Sequence, residues 1–117
     1  MNARRDAEAR GRRSETIAAW WLRLKGWRIL DTRVRTPAGE IDLVARRGRI
    51  VAFVEVKARP TIEEARRYLD ARALQRVARA AEVLAPRYAR EGDDIRIDGL
   101  LCAPKSLPRH LQNVWHG

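Results

Sequence analysis

The sequence predicts an α/β domain in the order α-β-β-β-α-β. Apolar residues recur at helical spacing in two segments, as Ile17, Trp21 and Leu24 and as Leu74, Val77, Ala81, Leu84 and Tyr88. Between and after these segments, apolar and polar residues alternate with the period of a strand. A chain of 117 residues, 45% of them hydrophobic, suffices for one core but not comfortably for two, so a single domain is expected.

Residues 1–13 are polar and rich in arginine, and read as a basic N-terminal arm or as the exposed first turns of a helix, ahead of a domain spanning 14–117. The first helix is expected over 14–25, with Gly26 placed to end it. A strand over 27–34 follows, then a turn at Thr36-Pro37-Ala38-Gly39. Residues 39–45 and 50–57 alternate as two strands joined at Arg46-Arg47-Gly48-Arg49, where Gly48 can take the positive φ of a tight hairpin. Thr61 and Glu64 after Pro60 are spaced as a capping box for a short helix. Pro86 should kink or end the long helix that carries the second apolar stripe. Residues 94–102 form the next strand, and the tail over 111–115 is a candidate for one more.

The hairpin carries the chemistry. With Arg47 and Gly48 as its loop, Phe53 faces Asp42 and Glu55 faces Glu40, so that Asp42, Glu55 and Lys57 share one face. Asp42 and Glu55 are then diagonal neighbours, about 7–8 Å apart at the backbone, and their carboxylates can converge on one cation. Mg²⁺ suits such a site because it takes oxygen ligands and keeps several waters. Lys57, further along that face, can stabilise charge on a phosphate or orient a metal-polarised water. The plainer alternative is a solvated hairpin face, since 34% of the chain is charged and a one-residue change of register sends the acids to the other side.

The runs Gly39-Glu-Ile-Asp-Leu-Val-Ala45 and Phe53-Val-Glu-Val-Lys-Ala-Arg59 closely resemble the YraN-like family of small bacterial proteins, which are regarded as endonucleases related to the PD-(D/E)xK nucleases and to archaeal Holliday junction resolvases. Ser14-Glu15-Thr16-Ile17-Ala18 resembles the family's first-helix motif, and Arg79-Ala-Ala81 falls in its second long helix. Arg96-Ile-Asp98 and His110-Leu-Gln-Asn113 resemble its later motifs, so the likeness covers nearly all the chain after residue 11. The resemblance implies a restriction-endonuclease-like fold, a mixed β-sheet flanked by helices. It also implies Asp42 and Glu55 as metal ligands, Lys57 as the catalytic lysine and Glu15 as the helix glutamate completing the site, with the Val56 carbonyl as a further ligand. The chain departs from the family at Ser14, where glycine is usual, and at Ala73, where a lysine is usual and Arg72 or Arg76 would have to substitute. Without the resemblance, Glu15 would be read as complementing the helix dipole.

The formal charge of +10 and pI near 11.2 call for a polyanionic partner. Of the 25 basic residues 22 are arginine, which makes forked contacts with phosphate oxygens. Arg33, Arg35, Arg46, Arg47 and Arg59 adjoin the acidic site in sequence and are candidate phosphate contacts. The expected function is Mg²⁺- or Mn²⁺-dependent hydrolysis of phosphodiester bonds in DNA, branched DNA included, as in repair or recombination. Cleavage of opposed strands would require a homodimer. A module that binds DNA without cutting, within a DNA-processing or uptake complex, is the alternative, and an RNA- or ribosome-associated protein is a third reading. No apolar signal region opens the chain, and the early apolar stretch over 17–22 is too short to span a bilayer, so no membrane partner is expected. The lone Cys102 fits a buried thiol in a reducing, cytoplasmic setting. His110 and His116 lack zinc-ligand spacing, and no nucleotide-binding loop is present. Trp20, Trp21, Trp27 and Trp115 read as core residues or surface anchors rather than base-stacking groups.

Overall fold

The computed structural model describes residues 3–116. The elements, in chain order, are helix α1 (Ala3–Leu24), strands β1 (Arg28–Thr36), β2 (Gly39–Arg47) and β3 (Ile50–Ala58), helices α2 (Ile62–Tyr68) and α3 (Ala71–Tyr88), and strands β4 (Asp94–Cys102) and β5 (Arg109–Leu111). Among the described residues the strands form one five-stranded mixed sheet in the order β1-β2-β3-β4-β5, antiparallel except for the parallel β3–β4 pair. The expected mixed sheet flanked by helices is therefore present. The backbone of residues 3–13 continues α1 as helix rather than forming a separate arm.

Each long helix covers one face of the sheet, and the stripe expected on α3 is the buried one. The stripe expected on α1 is not: Ile17 and Leu24 are exposed and Trp21 is half-buried, and the face turned to the sheet lies one position on, at Ala18, Ala19 and Leu22, where small residues let the helix approach the strands. Ala18, Ala19 and Leu22 of α1, with Trp27, pack on Leu43, Ala45, Ala52, Val54 and Leu100. Leu74, Val77, Ala80, Ala81 and Leu84 of α3 pack on Val34, Ile41, Val44, Val51, Phe53 and Ile97 on the other face. The sheet is thus covered on both sides, and the central strand β3 is continuously apolar from Ile50 to Val54 before the charged Glu55 and Lys57. Thr61 caps α2 by accepting from the Glu64 N–H at 3.1 Å, as its spacing predicts, and Asp70 caps α3 by accepting from the Ala73 N–H at 2.9 Å. Pro86, expected to kink or end α3, lies within its last turn, and the helix runs past it to Tyr88. Gly99 admits the chain between α2 and α3, since a Cβ there would fall 2.3 Å from a methyl carbon of Leu69.

Two boundaries differ from the sequence reading. Arg47 pairs with Ile50 and Val44 with Phe53, so the hairpin loop is Gly48-Arg49 rather than Arg47-Gly48. Gly48, at φ 60°, takes the first central position of the turn, the place for glycine in a type II′ turn. In this register Glu55 stands across from Asp42 instead of Glu40. The shift preserves side-chain parity but replaces a diagonal relation between the two acids with a direct one. The last strand is Arg109–Leu111, upstream of the expected 111–115. Beyond Leu111 the chain is turned by Asn113, at φ 52°, and rejoins β4 through the Val114 N–H, which donates to Ile97 O at 2.8 Å.

That return is fastened by Asp98, whose side chain is fully buried. One oxygen accepts from the Asn113 N–H at 2.9 Å; the other lies 2.9 Å from Arg96 Nη2 and 2.8 Å from His110 Nε2. Trp27 covers the group, with the His110 ring edge-on at 5.7 Å and the Arg96 guanidinium 5.5 Å from its centroid. Burial alone would raise the Asp98 pKa, but the hydrogen bonds from His110, Arg96 and Asn113 outweigh it and hold the carboxyl below the usual range. A carboxylate lowered in the folded state contributes stability above its unfolded pKa and loses it as pH falls through the folded one. Asp98→Ala leaves two donors and the half-buried Arg96 without their acceptor and is expected to cost about 3 kcal/mol in chemical denaturation. Asp98→Asn is expected to flatten the acid side of the stability–pH curve.

Candidate active site

The site forms where β2 and β3 part. Their ladder ends at Leu43–Val54, whereas β3 continues on β4 to Ala58–Cys102. Asp42 and Glu55 stand just past the last rung, and the Asp42 carboxylate replaces a backbone partner by accepting from the Val56 N–H at 2.8 Å. An open cleft of about 990 Å³ lies over this fork and is lined by Asp42, Glu55, Val56, Lys57 and Arg59 from the sheet, and by Arg13, Ser14, Glu15 and Ile17 from α1. Its far wall is the β4–β5 connection, including Ala103, Pro104 and Ser106. The acids, the lysine and the helix glutamate singled out in the sequence are therefore brought to one cleft.

The carboxyl groups of Asp42 and Glu55 meet within hydrogen-bonding reach. Burial first, then the hydrogen bond and negative charge of Glu55, push the Asp42 carboxyl up to about 8, against the pull of the Val56 N–H. Glu15 is also raised, by burial and by the charge of Asp42, although a hydrogen bond from Arg33 opposes this. Such a cluster is short of positive charge. Its donors are all oxygens, which matches a hard divalent cation. Among the described residues, however, no three acidic, histidine or cysteine side chains converge closely enough to enclose a metal by themselves. Asp42 and Glu55 are the pair that meets, and Glu15 is held back by Arg33, whose Nε lies 2.6 Å from its carboxylate.

Arg33 owes that contact to its backbone, which has a left-handed φ of 50° in the middle of β1. Its neighbours pair with β2 as Thr32–Leu43 and Val34–Ile41, so Arg33 lies across from Asp42. Leu43 belongs to the core under α1 and Ile41 to the core under α3. Strict alternation would put both on one side, so it is interrupted at Asp42 and Arg33. Simple period-two reading could not find this irregularity.

The remaining arginines separate. Arg59 lines the cleft, stacked over the Tyr68 ring at 4.0 Å. Arg35 is largely exposed, with Glu40 3.4 Å away. Arg46 lies at the turn end of the hairpin, remote from the cleft, and is committed elsewhere: it makes a forked pair with Asp93 at 2.7 and 3.2 Å and donates to Tyr88 O and Gly48 O. Only 12% of its side chain is exposed, and it ties the hairpin to the end of α3. Arg47, beside it, also lies outside the cleft. Sequence adjacency misplaced both, because four residues of strand separate the turn from the acids by about 13 Å. Ala73 is buried in the first turn of α3 and does not line the cleft. Cys102 is buried beneath the cleft, and burial pushes its thiol up to about 11, consistent with an inert thiol. Among the described residues no helix is long and apolar enough to cross a membrane.

Residues 14–101 match the model of the uncharacterised protein family UPF0102. UPF0102 proteins similar to this chain include that of Sphingopyxis alaskensis, 63% identical over 93% of this chain and 94% of its own length. That of Rhizorhabdus wittichii is 55% identical over the whole of this chain and 99% of its own, and that of Caulobacter vibrioides 49% identical over 92% and 86%. The matched segment begins beside Glu15 and takes in the fork with Asp42, Glu55 and Lys57, and the chain belongs to the UPF0102 family.

Proposed function

We propose that this protein is a metal-dependent endonuclease acting on DNA, with branched or otherwise distorted duplexes as its substrate class and the restriction-endonuclease-like PD-(D/E)xK enzymes as its superfamily. The observation that carries this reading is the meeting of Asp42 and Glu55 at the end of the β2–β3 ladder, in a cleft shared with Lys57 and Glu15. Solvated surface acids do not crowd one another at a strand fork under a helix; a site for a divalent cation has that character.

In this reading Asp42 and Glu55 would hold Mg²⁺ or Mn²⁺, with the Val56 carbonyl and Glu15 as further oxygen donors. The ion, when bound, supplies an activated water and neutralises phosphate charge. Lys57 places its ammonium against the phosphate oxygens and stabilises the charge that builds on them during attack. Arg59, steadied by Tyr68, contacts an adjoining phosphate. Arg33 and Arg35 on β1 would contact phosphates beyond the cleft, and Glu15 would have to leave its ion pair with Arg33 to serve the metal. Arg46 and Arg47 have no part in the contact.

A module that binds DNA without cutting is the second reading, favoured by the buried Ala73 where the resembled nucleases carry a lysine and by the Arg33 grip on Glu15. Cleavage of labelled single-stranded, duplex, flap and four-way-junction DNA with Mg²⁺, Mn²⁺ or EDTA separates the two. Metal-dependent cutting is expected, reduced at least 100-fold in Asp42→Ala and Lys57→Ala, since removal of one stabilising group for transition-state charge costs about that much or more. Tight binding with no cutting by the unaltered protein would establish the non-catalytic module.

The crowded acids give an independent test. A carboxyl raised in the folded state destabilises the metal-free protein as pH rises from the unfolded value near 4 toward about 8. Thermal denaturation is expected to show a Tm increase on adding Mn²⁺ that is larger at pH 8 than at pH 5.5. The increase should be absent in Asp42→Asn, which removes a ligand and the repulsion together.

A further inference from the structure

Next to the cleft lies a second groove of about 550 Å³, with Pro60, Pro104 and Ser106 shared between the two walls. Its cations are Arg66 from α2, Lys105 from the β4–β5 connection and Arg109 from β5, against a single acid, Glu63. All three cations are exposed, and none forms an ion pair among the described residues. Lys105 and Arg109 are close in sequence, but Arg66 on α2 joins them only through the fold.

We infer that this groove is a phosphate track that carries the nucleic-acid backbone away from the cleft, with Arg66, Lys105 and Arg109 as its contacts. This rests on the reading of the cleft as a phosphodiester site. The two depressions share a wall, so a strand whose phosphate sits at Lys57 passes Arg59 and then enters the groove on the Pro60–Pro104 side. Arg59 stands at the junction, lining the cleft and stacked on Tyr68 at the end of α2. The contacts are assigned to the backbone, because the groove is lined by no Asn, Gln or aromatic side chain that would read or stack a base, and exposed cations meet phosphates first. The track therefore adds affinity and fixes the direction of the strand without sequence preference.

The test is binding of fluorescein-labelled DNA, as a 20-nucleotide single strand, a duplex and a four-way junction, in EDTA across a salt series. The variant Arg66→Ala/Lys105→Ala/Arg109→Ala is compared with Arg79→Ala/Arg87→Ala/Arg90→Ala, which removes equal charge from α3 and the loop after it. Each duplex phosphate contact contributes about 0.9 to the slope of log K against log salt. The track variant is expected to lose roughly 2 to 3 from that slope, and at least ten-fold in affinity at 0.15 M salt, while the α3 variant changes little. Equal losses in both would mean that only net charge matters and would overturn the track, as would unchanged binding in the track variant. Cutting is scored separately on the unaltered protein. Absence of cutting with a selective loss of binding in the track variant would overturn the catalytic reading and leave the track in place.

Discussion

The arrangement depends on unequal pairing of one strand. β3 is hydrogen-bonded to β4 over its full length but to β2 over only part of it, and the difference opens the sheet at Val54. An opened sheet leaves backbone groups in need of partners, and the Asp42 carboxylate satisfies one of them at the Val56 N–H. The same carboxylate is thereby fixed against Glu55. A single break in a ladder accounts for the cleft, for the position of the acids above it and for their altered ionisation.

The parallel β3–β4 pair must itself be held, since a parallel strand needs a long crossover and the chain provides α2 and α3 for it. Those helices are seated by the core under α3 and by the approach of Leu69 to Gly99. On the far side β4 is closed by β5 and the tail, through the buried Asp98 and its three partners. At the other end of the hairpin, Arg46 and Asp93 join the β2–β3 turn to the end of α3, and Asp93 is lowered to about 2 chiefly by the Arg46 hydrogen bond. Charged residues thus serve two purposes here. Paired charges lock the rim of the sheet, and the unrelieved carboxylates occupy its fork.

Much of this was legible in the sequence because it rests on periodicity. Both long helices, the apolar stripe of α3, the hairpin, the N-cap at Thr61 and the strand at Asp94–Cys102 follow from spacing alone, and the structure contains them, whereas the buried face of α1 falls on Ala18, Ala19 and Leu22 and not on Ile17, Trp21 and Leu24. The acids were found for a related reason: a charged residue in an otherwise apolar strand stands out. What was not legible depends on geometry that spacing does not encode. The hairpin loop is displaced by one position because Gly48 can serve at either central place of a two-residue turn. Arg46 is near the acids in sequence, yet its partner Asp93 comes 47 residues later and holds it away from them. The groove beside the cleft was unreadable, since only the fold brings Arg66 of α2 to Lys105 and Arg109, which come much later in the chain.

Arg33 carries two demands that few amino acids satisfy together. Its backbone is left-handed, a conformation suited to glycine or asparagine, while its side chain must cross to α1 and meet Glu15 with a positive charge. Short residues that relax the main chain cannot reach the helix, and long ones that reach it retain the torsional penalty, on the order of 1–3 kcal/mol. Variation at this position is therefore confined from two directions at once. A polypeptide that stabilised β1 by making it regular would lose its connection to the helix beside the cleft.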